Sequence, residues 1–327
     1  MKKSLMLAMS LGMGVLGAAA LTITASAQEA YPAAPVKLLV GFAPGGATDV
    51  AARLLAQKLT PQMGVNVLVE NRAGANTHIA ADYVVKSKPD GHNLLFNTPS
   101  QILGTALGEK MSYDVFRDLS PVILAMTSPQ LLFVHPSVPA NTLAEFISYV
   151  RANPDKLAYG SAGAGSIIHL GALLFLQANG LSALHVPYKG TGDLLNDAIS
   201  GRVQFSMQST TTMLSMVKNH QIKALAIASR KRTPLLPDVP TFSETAMPGF
   251  EMGSWNGVMV PARTPVTVIR RVNSEIIKAM QDPELIAKLA QGGIEPLGST
   301  PEEYGTYLKN ELDRWNKVVK SGGIKLE

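Results

Sequence analysis

The chain contains no cysteine. Structural disulfides, thiol nucleophiles, thiolate metal sites and a lipid-bearing N-terminal cysteine are therefore all excluded. Histidine is sparse and scattered: His78, His92, His135, His169, His185 and His220 form no H-x-x-x-H pair. Neither a metal site nor any cofactor is expected from them. The net charge is only +5, and the one basic cluster, Arg230–Lys231–Arg232, reads as a solvated loop, so nucleic acid is not an expected partner. Internal repeats, low-complexity tracts and flexible linkers are also missing.

A long apolar run occurs once, at the N-terminus. Met1–Lys2–Lys3 leads into an apolar stretch from Leu5 to about Ile23 and then Ala25–Ser26–Ala27. These are the three parts of a cleavable secretory signal, with cleavage expected after Ala27; a permanent anchor is the competing reading. Removing 27 of 327 residues leaves a soluble chain of 300 and a net charge of +3. Export without disulfides points to a bacterial periplasm. Three hundred residues exceed one ordinary core and favour two domains.

What is present is alternation. Strand-like runs are expected at Val36–Gly41, Val65–Glu70, Asn93–Phe96, Pro121–Met126, Leu131–His135, Leu157–Gly160, Ala183–Tyr188, Val203–Met207, Lys223–Ser229 and Gly257–Val260. Helical patterns fall between most of them, the signature of an α/β fold with largely parallel sheets. One helix is expected to bury Ala51, Leu54, Leu55 and Leu59 and to stop at Pro61. Another carries Ile269, Val272, Ile276 and Met280. A last one carries Tyr304, Leu308, Leu312, Trp315 and Val319, and opens on the capping box Thr300–Pro301–Glu302–Glu303. Proline-bearing passages at Thr127–Ser128–Pro129 and Pro248–Gly249–Phe250 are the candidate crossings between two lobes.

Two glycine loops carry the chemistry. In the first, an apolar strand breaks at Phe42–Ala43–Pro44–Gly45–Gly46 and restarts as a helix near Thr48 and Asp49. Strand, glycine turn and helix N-terminus bring free N–H groups to one point, where an anion is stabilised. Thr48 is expected to cap that helix. An ordinary tight connection explains the same residues, whereas the nucleotide patterns G-x-G-x-x-G and G-K-[ST] do not fit. The second loop runs Gly160–Ser161–Ala162–Gly163–Ala164–Gly165–Ser166 and leads to His169, with Ser161 and Ser166 as possible hydroxyl donors. A hydrolase elbow fails because Tyr159 stands where its first glycine belongs; His169 reads as a residue that fixes the loop. Tyr188–Lys189–Gly190 is a third candidate ligand-facing turn, weak evidence by itself, and Trp255 either walls a cleft or packs in the core.

These pieces, taken in order, resemble the periplasmic receptors of tripartite tricarboxylate transporters, the Bug family. The matching motifs are Phe42–Ala43–Pro44–Gly45–Gly46 with Asp49; Val69–Glu70–Asn71–Arg72 with Gly74; and Pro89–Asp90–Gly91. They continue with Gly163, Gly165–Ser166 and His169; Val186–Pro187–Tyr188–Lys189–Gly190; Leu236–Pro237–Asp238–Val239–Pro240–Thr241; Pro248–Gly249–Phe250–Glu251; Ser254–Trp255; and Thr300–Pro301–Glu302–Glu303.

The resemblance implies a two-lobed periplasmic-binding-protein fold of type II, with two doubly wound sheets and a two-crossing hinge. Residues 28–127 and 252–327 would form one lobe and 128–251 the other. It also implies no catalysis and a monomer that binds a small organic acid and delivers it to membrane permease subunits. The ligand would lie between positions 42–48 and 161–166, with Thr98, Ser100, Gln208 and Trp255 setting the cleft. Gln204 and Gln208 stand where the family often carries aspartate, which disfavours an ammonium-bearing ligand. The alternatives are a sensor that docks on a signalling partner, and a secreted hydrolase using Ser161 or Ser166 with His169.

Overall fold

The computed structural model describes residues 31–322 except Ala164, Lys189 and Gly190; the expected signal and part of the third turn lie outside these residues. Among the described residues the apolar runs form ten strands. The first stretch is β1 (Val36–Val40), α1 (Ala47–Met63), β2 (Val67–Asn71), α2 (His78–Val85), β3 (Asn93–Asn97), α3 (Pro99–Ala106) and α4 (Val115–Asp118). The middle contains β4 (Leu119–Val134), α5 (Leu143–Ala152), β5 (Ala158–Ser161), α6 (Ile167–Ala178), β6 (Leu184–Pro187) and α7 (Thr191–Ser200). It continues through β7 (Phe205–Ser209), α8 (Thr210–Lys218) and β8 (Lys223–Ile227). The last stretch is β9 (Gly253–Pro261), α9 (Val266–Met280), α10 (Pro283–Gln291), β10 (Glu295–Pro296) and α11 (Pro301–Gly322).

Two expectations are corrected. The runs Pro121–Met126 and Leu131–His135 are one strand, so Thr127–Ser128–Pro129 is the middle of β4 and not a gap between two strands. Pro129 is tolerated because it lies opposite Gly253, at the very start of β9. Pro61 does not stop α1; the helix runs on to Met63 and ends at Gly64, whose left-handed φ of 72° closes the last turn. The expected capping box is in place at α11: Glu303 accepts the Thr300 N–H (2.7 Å), and Thr300 Oγ1 accepts the Glu303 N–H (3.1 Å).

Strand pairing runs without a break in the order β2-β1-β3-β9-β4-β7-β5-β6, with β8 and β10 also on β4. β1, β2 and β3 are mutually parallel, and β9 is antiparallel to both β3 and β4. The first three strands therefore run in the same direction as β4. β7 is antiparallel to β4, and β5 and β6 run parallel with β7. The carboxyl ends of the two strand sets thus approach the middle of β4 from opposite directions. At β3 the last residue, Asn97, faces Gly257, which in turn faces Leu124; at β7 the last residue, Ser209, faces Gln130. A seam lies between these levels, and in α/β sheets such carboxyl ends are where ligands bind.

The core follows the same division but is stitched by the last helix. One buried cluster lines β1, α1, β3 and α9; a second collects Leu131, Phe133, Leu194 and Met213 in the other half. A third draws on both halves, joining Leu39 and Leu95 to Phe146 and Phe175 through Tyr304, Leu308 and Trp315 of α11. Packing α11 against both α3 and α6 ties the two strand sets into one compact unit.

Candidate functional site

Helices that follow strands of the two sets include α1 after β1, α3 after β3, α6 after β5 and α8 after β7. Three are closed by their own side chains. Thr98 accepts from Ser100 N–H, Ser166 from His169 N–H and Ser209 from Thr212 N–H. The first turn of α1 is different. Its N-cap is Gly46, which has no side chain to offer, and residues 42–47 are exposed. Thr48 lies inside the helix and does not cap it, contrary to the sequence expectation. The N–H groups at the start of α1 thus face outward without a side-chain acceptor, at the positive end of a helix of 17 residues.

Asp49 braces the loop. Its carboxylate is 2% exposed and accepts from Gly45 N–H (2.9 Å), Arg53 Nε (2.9 Å) and Asn71 Nδ2 (2.8 Å). Burial pushes this carboxyl up, but the bonds from Arg53, Gly45 and Asn71 outweigh it and hold the group at about 2. The Gly45 N–H reaches Asp49 from a φ of 88°, which glycine adopts at little cost. Behind the loop, a Cβ on Gly41 would meet the Thr77 Cβ at 2.4 Å. Thr77 ends a run of three left-handed residues, Ala75, Asn76 and Thr77, and accepts from Gln101 Nε2 (2.7 Å). The Gln101 Oε1 accepts the Thr98 N–H (3.0 Å), so the first loop and the start of α3 are braced together.

The second loop is satisfied largely within itself. Ser161 and Ser166 hydroxyls both reach Gly163 O (3.0 and 2.7 Å), while Gly163 N–H bonds to Ser161 Oγ (3.2 Å) and Gly165 N–H to His169 Nδ1 (3.1 Å). Because Nδ1 of His169 accepts, this ring is neutral with its proton on Nε2. The ring stacks on His185 at 3.9 Å and 9°, and Tyr159 stacks on both. Burial, and then the neighbouring His185, pushes His169 down to about 4; burial also lowers His185. Ser161 meets His185 Nε2 at 2.7 Å, not His169, and is fully buried. The pairing imagined for a hydrolase, Ser161 or Ser166 with the His169 ring, is not formed.

From the second half, Gln208 is 2% exposed and Thr210 1%. Among the described residues, Gln208 Nε2, Thr210 Oγ1, Gln130 Oε1 and Asn256 Nδ2 have no hydrogen-bond partner. Buried polar groups are nearly always paired, so such a group of orphans beside the seam marks polar ground. Thr98 is buried and Ser100 half-buried at the start of α3. Tyr188 donates its hydroxyl to Asp197 (2.7 Å) on α7, and burial pushes the phenol up to about 12. Trp255 is a core residue, its ring edge-on to Tyr304 and Tyr307. Arg53, Asn71 and His185 hold the loops in place, yet sequence reasoning gave them no role; Asn71 stood inside a quoted motif, and the other two carried no signal.

Comparison with known proteins places this geometry. Residues 51–324 match the family described as tripartite tricarboxylate transporter family receptor. The solved structure of an R. palustris protein, Rpa4515 with adipate, is 35% identical and has a TM-score of 0.75, covering 90% of this chain and 99% of that one. The periplasmic binding protein BugD is 32% identical with a TM-score of 0.72, covering 91% and 100%. MatC from Rhodopseudomonas palustris, solved with bound malate, is 31% identical with a TM-score of 0.71, covering 88% and 100%. The fold is that of the α/β periplasmic binding proteins. With the family profile spanning most of the chain, this protein belongs to the solute receptors of tripartite tricarboxylate transporters and not to an enzyme family.

Proposed function

We propose that the chain binds a small organic carboxylate in the seam between the two strand sets and delivers it to the permease subunits of a tripartite transporter. In this reading residues 28–127 and 252–327 act as one lobe and 128–251 as the other, hinged on β4 and the passage into β9. The protein works in the periplasm after removal of its first 27 residues. One observation carries the assignment of the anion. Of α1, α3, α6 and α8, α1 has no side-chain cap, and Gln208 offers a buried, unpartnered amide from the opposite half.

Neutral donors are sufficient. Charge-assisted hydrogen bonds contribute about 1.5–3 kcal/mol each. Four of them, less the cost of ordering and closure, reach the roughly −8 kcal/mol of micromolar binding. The relatives solved with adipate and malate support a carboxylate ligand. An amide at Gln208, where the family often has aspartate, supports acids that lack an ammonium group. Thermal unfolding against mono-, di-, tricarboxylic and aromatic acids, with amino acids and sugars as controls, tests the reading. A ligand at a hundred times its Kd adds about 2.7 kcal/mol of stability. A melting shift confined to carboxylates supports the proposal; a shift with sugars alone, or tight preferential binding of aspartate or glutamate over their deaminated analogues, contradicts it.

A further inference from the structure

A second cavity, of about 300 Å³, opens where α11 crosses β4 and β9. None of its lining residues belongs to the glycine loops or to the starts of α3 and α8. Its walls come from both halves: Arg230 follows β8, whereas Glu295 and Tyr307 belong to β10 and α11. Four of its charges form two internal pairs, Arg230 Nε with Glu251 (3.0 Å) and Arg314 Nη1 with Glu311 (3.1 Å). That leaves one carboxylate over. Among the described residues the Glu295 side chain has neither an ion-pair nor a hydrogen-bond partner, and burial raises its carboxyl. The same cavity is lined by Tyr307, packed edge-on to Trp255 at 5.7 Å, and by Leu297, which is 37% exposed.

We propose that this cavity, which shares the seam level of β4 but contains none of the glycine-loop residues, is a binding site for a small organic ammonium ion. Its charge pairs with Glu295 and its apolar body lies against Tyr307 and Leu297. The complement follows from the lining: two satisfied ion pairs repel neither sign strongly, and the leftover carboxylate selects one positive charge. An aromatic ring in the same lining favours a cation further. The volume suits a fragment-sized molecule.

Calorimetric titration of the protein with benzylammonium chloride, and with benzyl alcohol as the neutral control, tests this directly. The expected result is saturable one-to-one binding of the ammonium, none of the alcohol, and a loss of about tenfold or more in affinity in Glu295→Gln. Glu295→Asp, which keeps the charge, should retain ammonium binding, and both variants should melt no lower than the parent. Absence of saturable binding, equal binding of the alcohol, or a Glu295→Gln variant that binds as the parent does would overturn the proposal. The readout does not involve carboxylates, so its failure would leave the proposed function untouched.

Discussion

Trp255 and Trp315, the chain's only two tryptophans, donate their indole N–H groups to the same oxygen, Oε2 of Glu311, at 3.4 and 3.1 Å. Trp255 lies on β9, a strand that crosses the seam level, and Trp315 on the helix that joins the two halves. A single buried carboxylate therefore ties the crossing strand to α11. Arg314 adds a third bond to Glu311 Oε1 (3.1 Å).

Glu311→Gln keeps the shape but removes the charge that all three donors share. The variant should lose about 2–3 kcal/mol in denaturant unfolding. Its tryptophan emission should shift as well, since both indoles lose the same partner. Unchanged stability together with an unchanged spectrum would refute the shared role.

Asp49→Asn should loosen the first loop. The native carboxyl sits at about 2 against an ordinary value near 3.8, so the folded state favours its charged form. That stability is present above about pH 4 and is lost as the pH falls through the folded value; it amounts to about 2 kcal/mol. Denaturant unfolding at pH 7 and pH 3 should show a smaller acid loss in the variant than in the parent.

The stacked histidines work in the opposite charge sense. Unfolded, each takes a proton near pH 6.5; folded, His169 resists until about 4. Between these values the unfolded state binds more protons, so stability falls as pH drops from 7 toward 4, by about 3 kcal/mol for His169. A His169→Asn/His185→Asn double variant should lose much less over this range, as read by unfolding at pH 7 and pH 5.

Gly46→Ser should move stability and binding in opposite directions. Gly46 has φ −77° and ψ 166°, open to any residue, and a Cβ there would meet nothing closer than 3.9 Å. A serine hydroxyl would cap α1, adding a few tenths of a kcal/mol. It would also occupy N–H groups that the ligand needs, so carboxylate affinity should fall severalfold by calorimetry. A stabilised variant with undiminished affinity would remove α1 from the site.

Gln208→Asp restores the charge common in the family. Affinity for simple carboxylates should drop about tenfold or more, while acids bearing an ammonium group gain. The same melting panel reads both changes.

Much of the fold was legible because periodicity and turn chemistry are local. The alternation of strand and helix, the two glycine turns and the capping box at Thr300 all rest on neighbours a few residues apart. Misreadings arose where a distant partner decided. Pro129 looked like a break, but a β9 strand more than a hundred residues away pairs across it. Thr48 looked like a cap, but Gly46 already occupies the position that begins the helix.

The sequence by itself determined the class of fold and the two glycine turns between strand and helix. Tertiary structure alone decided which donors in those loops are free. Asp49, Ser161 and Ser166 have the chemistry of ligand contacts, yet each is held by partners within the protein, several of them far away in sequence, such as Asn71 and His185. The partners a group already has in the folded chain bear on what it can still offer a ligand. That is a property of the packed molecule and not of the residue.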